Sequence, residues 1–124
     1  MAQAEDIRRA LPLSALWGDA AIGFTGMDFE TAVRERLPIL SILFNNFSMA
    51  IELPIMQVAT EKYRSTDISG NYAQMAEAFG GYGERVEDPS QIVDALRRGI
   101  EATERGQAAL IEFITEKELA VSTF

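Results

Sequence analysis

The chain has 124 residues, 48% hydrophobic and 24% charged, with a formal charge of −8 at pH 7. This describes one small acidic domain that buries about two-thirds of its unfolded surface on folding. The absence of cysteine and histidine excludes disulfides, thiolate and imidazole nucleophiles and zinc sites built on either, and the acidic balance argues against nucleic acid and anionic membranes as partners.

Leu11 to Trp17 is a mostly apolar run ending at Gly18-Asp19, predicted as a buried strand that delivers the chain into a loop. Glu5 and Asp6 are unlike the basic start of a signal peptide. The densest apolar stretch, Ile39 to Phe44, falls far short of the roughly 18 residues of a membrane span, so a cytoplasmic protein is expected. Thr25 and Asp28 have the form of a capping box, and Phe29, Val33 and Leu37 recur at helical spacing until Pro38 closes the helix. Ile39 to Phe44, apolar on both faces, reads as a central parallel strand that stops at Asn45-Asn46.

Residues 47 to 70 show no clean period and are expected to form a long loop with one helical turn. Tyr72, Met75, Ala76 and Phe79 predict a second helix stopped by Gly80-Gly81, followed by a short strand near Arg85 to Glu87. Asp88 as N-cap, Pro89 at the first helical position and Gln91 open a third helix with a buried stripe of Ile92, Leu96 and Ile100, ended by Gly106. Ala108 to Ile114 reads as a further buried strand and Glu116 to Phe124 as a polar tail. Alternating strands and helices predict an α/β fold, a partial doubly wound and mostly parallel sheet with flanking helices, in which ligands bind at the carboxyl ends of strands.

Two such ends carry polar residues. If their strands are parallel neighbours, Gly18-Asp19-Ala20 and Asn45-Asn46 share one sheet edge, where a carboxylate, an amide oxygen and loop carbonyls make a hard-oxygen set suited to Mg²⁺ or Ca²⁺. Taken alone, the same residues also suit a turn after a strand and a capped loop.

Gly18-Asp19-Ala20, 24 residues, then Asn45-Asn46 resembles the Gly-Asp-Gly…Asn-Asn motif of thiamine-diphosphate-dependent enzymes. The flanks, Gly26 to Arg34 with Leu37-Pro38-Ile39 and Asp67 through Gly80 with Tyr82-Gly83, are similar to the carboxy-terminal domain of the acetolactate-synthase-like branch, over roughly residues 17 to 115. The resemblance implies the thiamine-diphosphate-binding fold over residues 18–115, flanked by an atypical segment 1–17 and a tail 116–124. It implies Mg²⁺ held by the Asp19 carboxylate, the Asn46 side-chain oxygen and the Ser48 carbonyl. Gly18, Asp19, Ala20 and Ala21 would lie against the diphosphate of thiamine diphosphate, and Phe47, Ser48, Met49 and Ala50 along the thiazolium side. No lysine precedes Lys62, so a polyanion here calls for a metal.

The chain departs from that pattern at Ala20, which replaces the second glycine, at Ser48, where many relatives have glycine, and in what precedes Gly18. Relatives carry upstream another domain with the glutamate that activates the cofactor and a bulky residue that bends it. None of the 13 glutamates here has a matching context. The expectation is therefore the diphosphate-binding part of a 2-oxo-acid lyase or transferase, incomplete alone and completed by a separate chain or within a homo-oligomer; the alternative is a truncated relic acting as an oligomeric interaction module. Of the remaining candidates, Glu52 and Glu61 read as solvated, Trp17 as core or interface, Met49, Met56 and Met75 as packing, and Arg97-Arg98 as the wet side of the third helix.

Overall fold

A computed structural model describes residues 13–119. Four strands, β1 (Leu13–Gly18), β2 (Ile39–Asn45), β3 (Tyr82–Val86) and β4 (Ala109–Ile114), form one sheet in the order β1-β2-β4-β3, every neighbouring pair parallel. The helices are α1 (Asp19–Thr25), α2 (Asp28–Arg34), α3 (Gln57–Tyr63), α4 (Tyr72–Ala78) and α5 (Ile92–Glu104). The predicted α/β class and parallel sheet are thus observed. Leu11 and Pro12, at the head of the predicted first strand, lie outside the described residues, as do 120–124 of the tail; Glu116 to Leu119 has no regular structure.

Strand alternation divides the core between two faces. Leu43 of β2 and Leu110 of β4 pack with Ile22 of α1, Phe29 and Ala32 of α2 and Ala76 of α4 on one side. Leu40, Ala109, Ile111 and Phe113 pack with Ala95 and Ala102 of α5 on the other. Trp17 and Met75 join the first cluster as packing residues.

Several boundaries differ from the sequence-based expectation. After Gly18 the chain enters α1 at once instead of a loop. Thr25 is the last residue of α1, and α2 starts behind Met27 with no side-chain cap: Gly26 and Met27 are already helical, which leaves no extended residue from which a cap could reach back. Leu37 lies beyond α2 and is exposed, because Arg36 turns the chain at φ 54° and Pro38 disfavours helix before it. Residues 47–70 hold a 3₁₀ turn (Ala50–Glu52) and α3. β3 begins at Tyr82 rather than Arg85.

Asp88 does cap, accepting from the Ser90 amide, but Pro89–Gln91 is a separate 3₁₀ turn ahead of α5. The most buried residues of α5 are Ala95, Gly99 and Ala102; of the predicted stripe, Leu96 and Ile100 pack half-buried against the same cluster and Ile92 is exposed. Small residues win there because the helix approaches the sheet closely: a Cβ on Gly99 would stand 2.8 Å from Leu40 Cδ1.

Candidate functional site

Parallel pairing sets Gly18 opposite Phe44 and Asn45 opposite Ile114, so the carboxyl ends of β1, β2 and β4 form one edge. Asp19, the first residue of α1, is 5% exposed. Its Oδ1 accepts from its neighbour Ala20 N at 2.8 Å, and its Oδ2 from Ser48 N at 3.0 Å. Asn46 Oδ1 accepts from that same Ser48 amide at 2.9 Å. Two side-chain oxygens from different elements therefore converge on one N–H.

The two asparagines are not equivalent. Asn45 is fully buried and turned inward, its Nδ2 donating to Glu112 at 2.7 Å and its Oδ1 accepting from Phe47 N at 2.9 Å. Asn46 is the member that faces the Asp19 side. Phe47 then adopts φ 57°, a left-handed value rare for a residue with a Cβ, and its carbonyl accepts from Ile68 N. This crooked turn reverses the chain between the strand end and the loop, and a bridge between Ser48 and Asp67 holds the far side. Met49 and Ala50 lead into the 3₁₀ turn, and Ala21 is exposed on the first turn of α1.

The residues present fit a hard cation bound to an anionic group. Among the described residues Asp19 has no Lys or Arg within ion-pair reach, so a buried carboxylate stands without a protein counter-charge. The buried Ser48 Oγ has no hydrogen-bond partner, and the Ser48 carbonyl accepts no hydrogen bond among the described residues. A Cβ on Gly18 would meet nothing within 4 Å, leaving open space beside the strand end. No group of three carboxylates occurs among the described residues, so a cation here would rely on one carboxylate, an amide oxygen and a carbonyl.

The Asp19 charge reaches a neighbour: Tyr72 donates to the Asp19 carbonyl at 3.4 Å, and burial first, then the charges of Asp19 and Glu112, push its phenol upward. A cleft of about 270 Å³ opens beside Phe47, lined by Arg64, Asp67, Ser69 and Lys117. An apolar pocket of about 120 Å³ lined by Trp17, Ile22, Phe29 and Leu110 opens to the surface beside Thr25 and Asp28 and holds none of the site residues.

Sequence reasoning overlooked Glu112 and Arg85. Glu112, fully buried in β4, accepts from Asn45, from Ala73 N and twice from Arg85, its registered partner in β3. The available signal was a lone carboxylate inside Ala109-Leu-Ile-Glu-Phe-Ile, which must be paired if the strand is central.

Residues 2–113 match the family model described as thiamine pyrophosphate enzyme, C-terminal TPP binding domain. The acetolactate synthase large subunit IlvG of Mycobacterium tuberculosis is 31% identical over 111 residues, covering 85% of this chain and 19% of the relative. The acetolactate synthase of Bacillus subtilis is 36% identical over 88 residues, covering 68% and 15% respectively. Among solved structures, a thiamine diphosphate-dependent 4-hydroxybenzoylformate decarboxylase from Rhodococcus jostii RHA1 shares the fold with a TM-score of 0.75 at 18% identity, over 90% of this chain and 21% of that one.

The chain belongs to the thiamine pyrophosphate enzyme family and corresponds to its C-terminal cofactor-binding domain, of the acetolactate-synthase-like kind. It spans 19% and 15% of the length of these two curated relatives. No described helix is long and apolar enough to cross a membrane.

Proposed function

We propose that the chain binds thiamine diphosphate through Mg²⁺ at the carboxyl edge of β1 and β2, as the diphosphate-binding domain of an acetolactate-synthase-like lyase or transferase acting on a 2-oxo acid. The observation that carries this reading is the convergence of Asp19 Oδ2 and Asn46 Oδ1 on the Ser48 amide, with the buried Asp19 carboxylate unpaired by any Lys or Arg among the described residues. Asp19, Asn46 Oδ1 and the Ser48 carbonyl are the proposed metal ligands. Gly18 to Ala21 would border the diphosphate, and Phe47 to Ala50 the thiazolium. Bound there, thiamine diphosphate would supply the carbon nucleophile that attacks a carbonyl. The chain's own residues would orient the diphosphate and neutralise it through the metal, while the glutamate that activates the aminopyrimidine would come from a further domain.

Calorimetric titration of thiamine diphosphate, with Mg²⁺ and again with EDTA, tests this. Saturable heat that disappears with EDTA is expected; heat that is unchanged by EDTA, or absent in both, overturns it.

A second reading, an oligomeric interaction module without catalysis, draws on the exposed apolar side chains Leu16, Phe24, Ile51 and Ile55. Self-association without cofactor binding, seen by sedimentation, would favour it.

A further inference from the structure

We infer that Glu112 is a positioning residue for the cofactor loop: from the interior of the sheet it sets the Asn45 amide and the Arg85 guanidinium, which together hold Phe47 in its left-handed conformation and so present Asn46 and Ser48. The inference rests on the proposed metal-dependent binding and adds a residue outside the set that touches the cofactor.

The carboxylate of Glu112 is fully buried and surrounded by donors. Oε1 accepts from Asn45 Nδ2 at 2.7 Å and from an Arg85 terminal nitrogen at 2.9 Å. Oε2 accepts from Ala73 N at 3.0 Å and from Arg85 Nε at 3.1 Å. An ionised carboxylate can only accept, so it dictates which end of the Asn45 amide faces it. With Nδ2 committed to Glu112, Oδ1 points the opposite way and takes the Phe47 N–H at 2.9 Å.

The second arm works from the ring side. Arg85, held on Glu112 by two nitrogens and on the Gly70 carbonyl by a further bond of 3.0 Å, lies with its Cζ 5.9 Å from the Phe47 ring centroid. Phe47 is thus fixed at its backbone amide by one group and at its ring by another, and both are anchored on the same carboxylate. Its φ of 57° is one that L-residues with a Cβ disfavour and hold only when the surroundings impose it. Asn46 and Ser48 flank that residue directly, so the direction of the Asn46 oxygen and of the Ser48 carbonyl follows from the Phe47 backbone.

Replacing the carboxylate by an amide of the same size isolates this role. In Glu112→Gln an NH₂ must stand where two of the four donors now point, whichever way the amide turns. At the Oε1 position it faces Asn45 Nδ2 and an Arg85 terminal nitrogen, so Asn45 is driven to flip its own NH₂ against the Phe47 N–H; at the Oε2 position it faces Ala73 N and Arg85 Nε, and that grip is broken.

The experiment measures backbone amide hydrogen exchange by NMR in the full chain. It compares wild type, Glu112→Gln and a control, Ala102→Gly, which loosens α5 on the opposite face of the sheet. Exchange at Phe47 and Ser48 should rise about tenfold or more in Glu112→Gln relative to the control. Thiamine diphosphate affinity in the presence of Mg²⁺ should fall about ten- to a hundredfold, as for loss of a group that orients metal ligands. Equal exchange at Phe47 in Glu112→Gln and Ala102→Gly would overturn the inference, as would faster exchange with unchanged affinity. Should wild type bind no thiamine diphosphate, the proposed function falls, and the exchange comparison alone decides whether Glu112 holds Phe47. If Glu112→Gln does not fold, Arg85→Lys decides: it keeps the charge but cannot make the two-nitrogen grip or lie flat over the ring. Faster exchange at the same two amides supports the inference, and unchanged exchange sinks it.

Discussion

The Ser48 amide and the Asp19 carboxylate meet at 3.0 Å, 29 residues apart in the chain and on the ends of different strands. The contact joins the segment after β1 to the segment after β2 beyond the strand ladder, and it fixes Asp19 Oδ2 beside Asn46 Oδ1. Asp19→Ala removes the only carboxylate of the proposed ligand set, yet Asn46 still accepts from the Ser48 amide. Unfolding should therefore cost only about 1 kcal/mol less than in wild type, the net worth of one hydrogen bond. Metal-dependent heat in a thiamine diphosphate titration should vanish. Retention of full affinity in a folded Asp19→Ala would remove Asp19 from the metal.

Glycines at two positions should respond in opposite directions. A Cβ at Gly83 would stand 2.0 Å from the Ala73 carbonyl oxygen, in the seam between α4 and β3. Gly83→Ala must push α4 off the sheet and should destabilise the fold by about 3 kcal/mol or more. Gly23 lies within α1 with nothing in reach of a Cβ, so Gly23→Ala should stabilise by about 0.5–1 kcal/mol through helix propensity and a less flexible unfolded chain. Urea denaturation of both variants checks the pair.

Acid stability should depend on Glu84. The hydrogen bond from Arg98 holds its carboxyl below the ordinary range, with a smaller contribution from Tyr82 and against an opposing push from burial. A value depressed in the folded state means stabilisation that is present above the unfolded value of about 4.3 and is lost as pH falls through the lower folded value. The stability gap between wild type and Arg98→Met should therefore be widest above that pH and close below it. The pair is partly exposed, so added salt should narrow the gap at every pH. A gap that grows on acidification would contradict the assignment.

The N-terminus of α4 offers a smaller and cleaner test. Asn71 caps it, its side chain accepting from Gln74 N at 3.1 Å. Asn71→Ala should cost about 1 kcal/mol in thermal or urea unfolding. Because Ala73 in the same turn donates to Glu112, the variant should also speed amide exchange at Ala73, which can be read by NMR.

Local signals made the edge of the sheet legible. The apolar run before Asn45-Asn46 and the glycine before Asp19 announce strand ends, and parallel pairing then brings Asp19, Asn46 and Ser48 together. Helix boundaries were less legible where the outcome depends on tertiary approach: the large residues Ile92, Leu96 and Ile100 look like the buried stripe of α5, but the nearness of Leu40 and Ile111 selects Ala95, Gly99 and Ala102. The difference between Asn45 and Asn46 could not be read from the dipeptide at all. It is decided by Glu112, 67 residues away, whose own place in the sheet follows only from the strand order.

That strand order also bears on when the site comes into being. Asp19 directly follows β1, the 46–48 turn directly follows β2 and Glu112 lies in β4, three strands whose pairings are all parallel, so each contact waits for a crossover to close. Sheets built on such distant pairings assemble slowly. The arrangement spans residues 19 to 112, and a ligand that needs all three pieces recognises the finished fold and not its precursors. Such a ligand acts as a brake on unfolding, raising the melting temperature with its concentration by mass action.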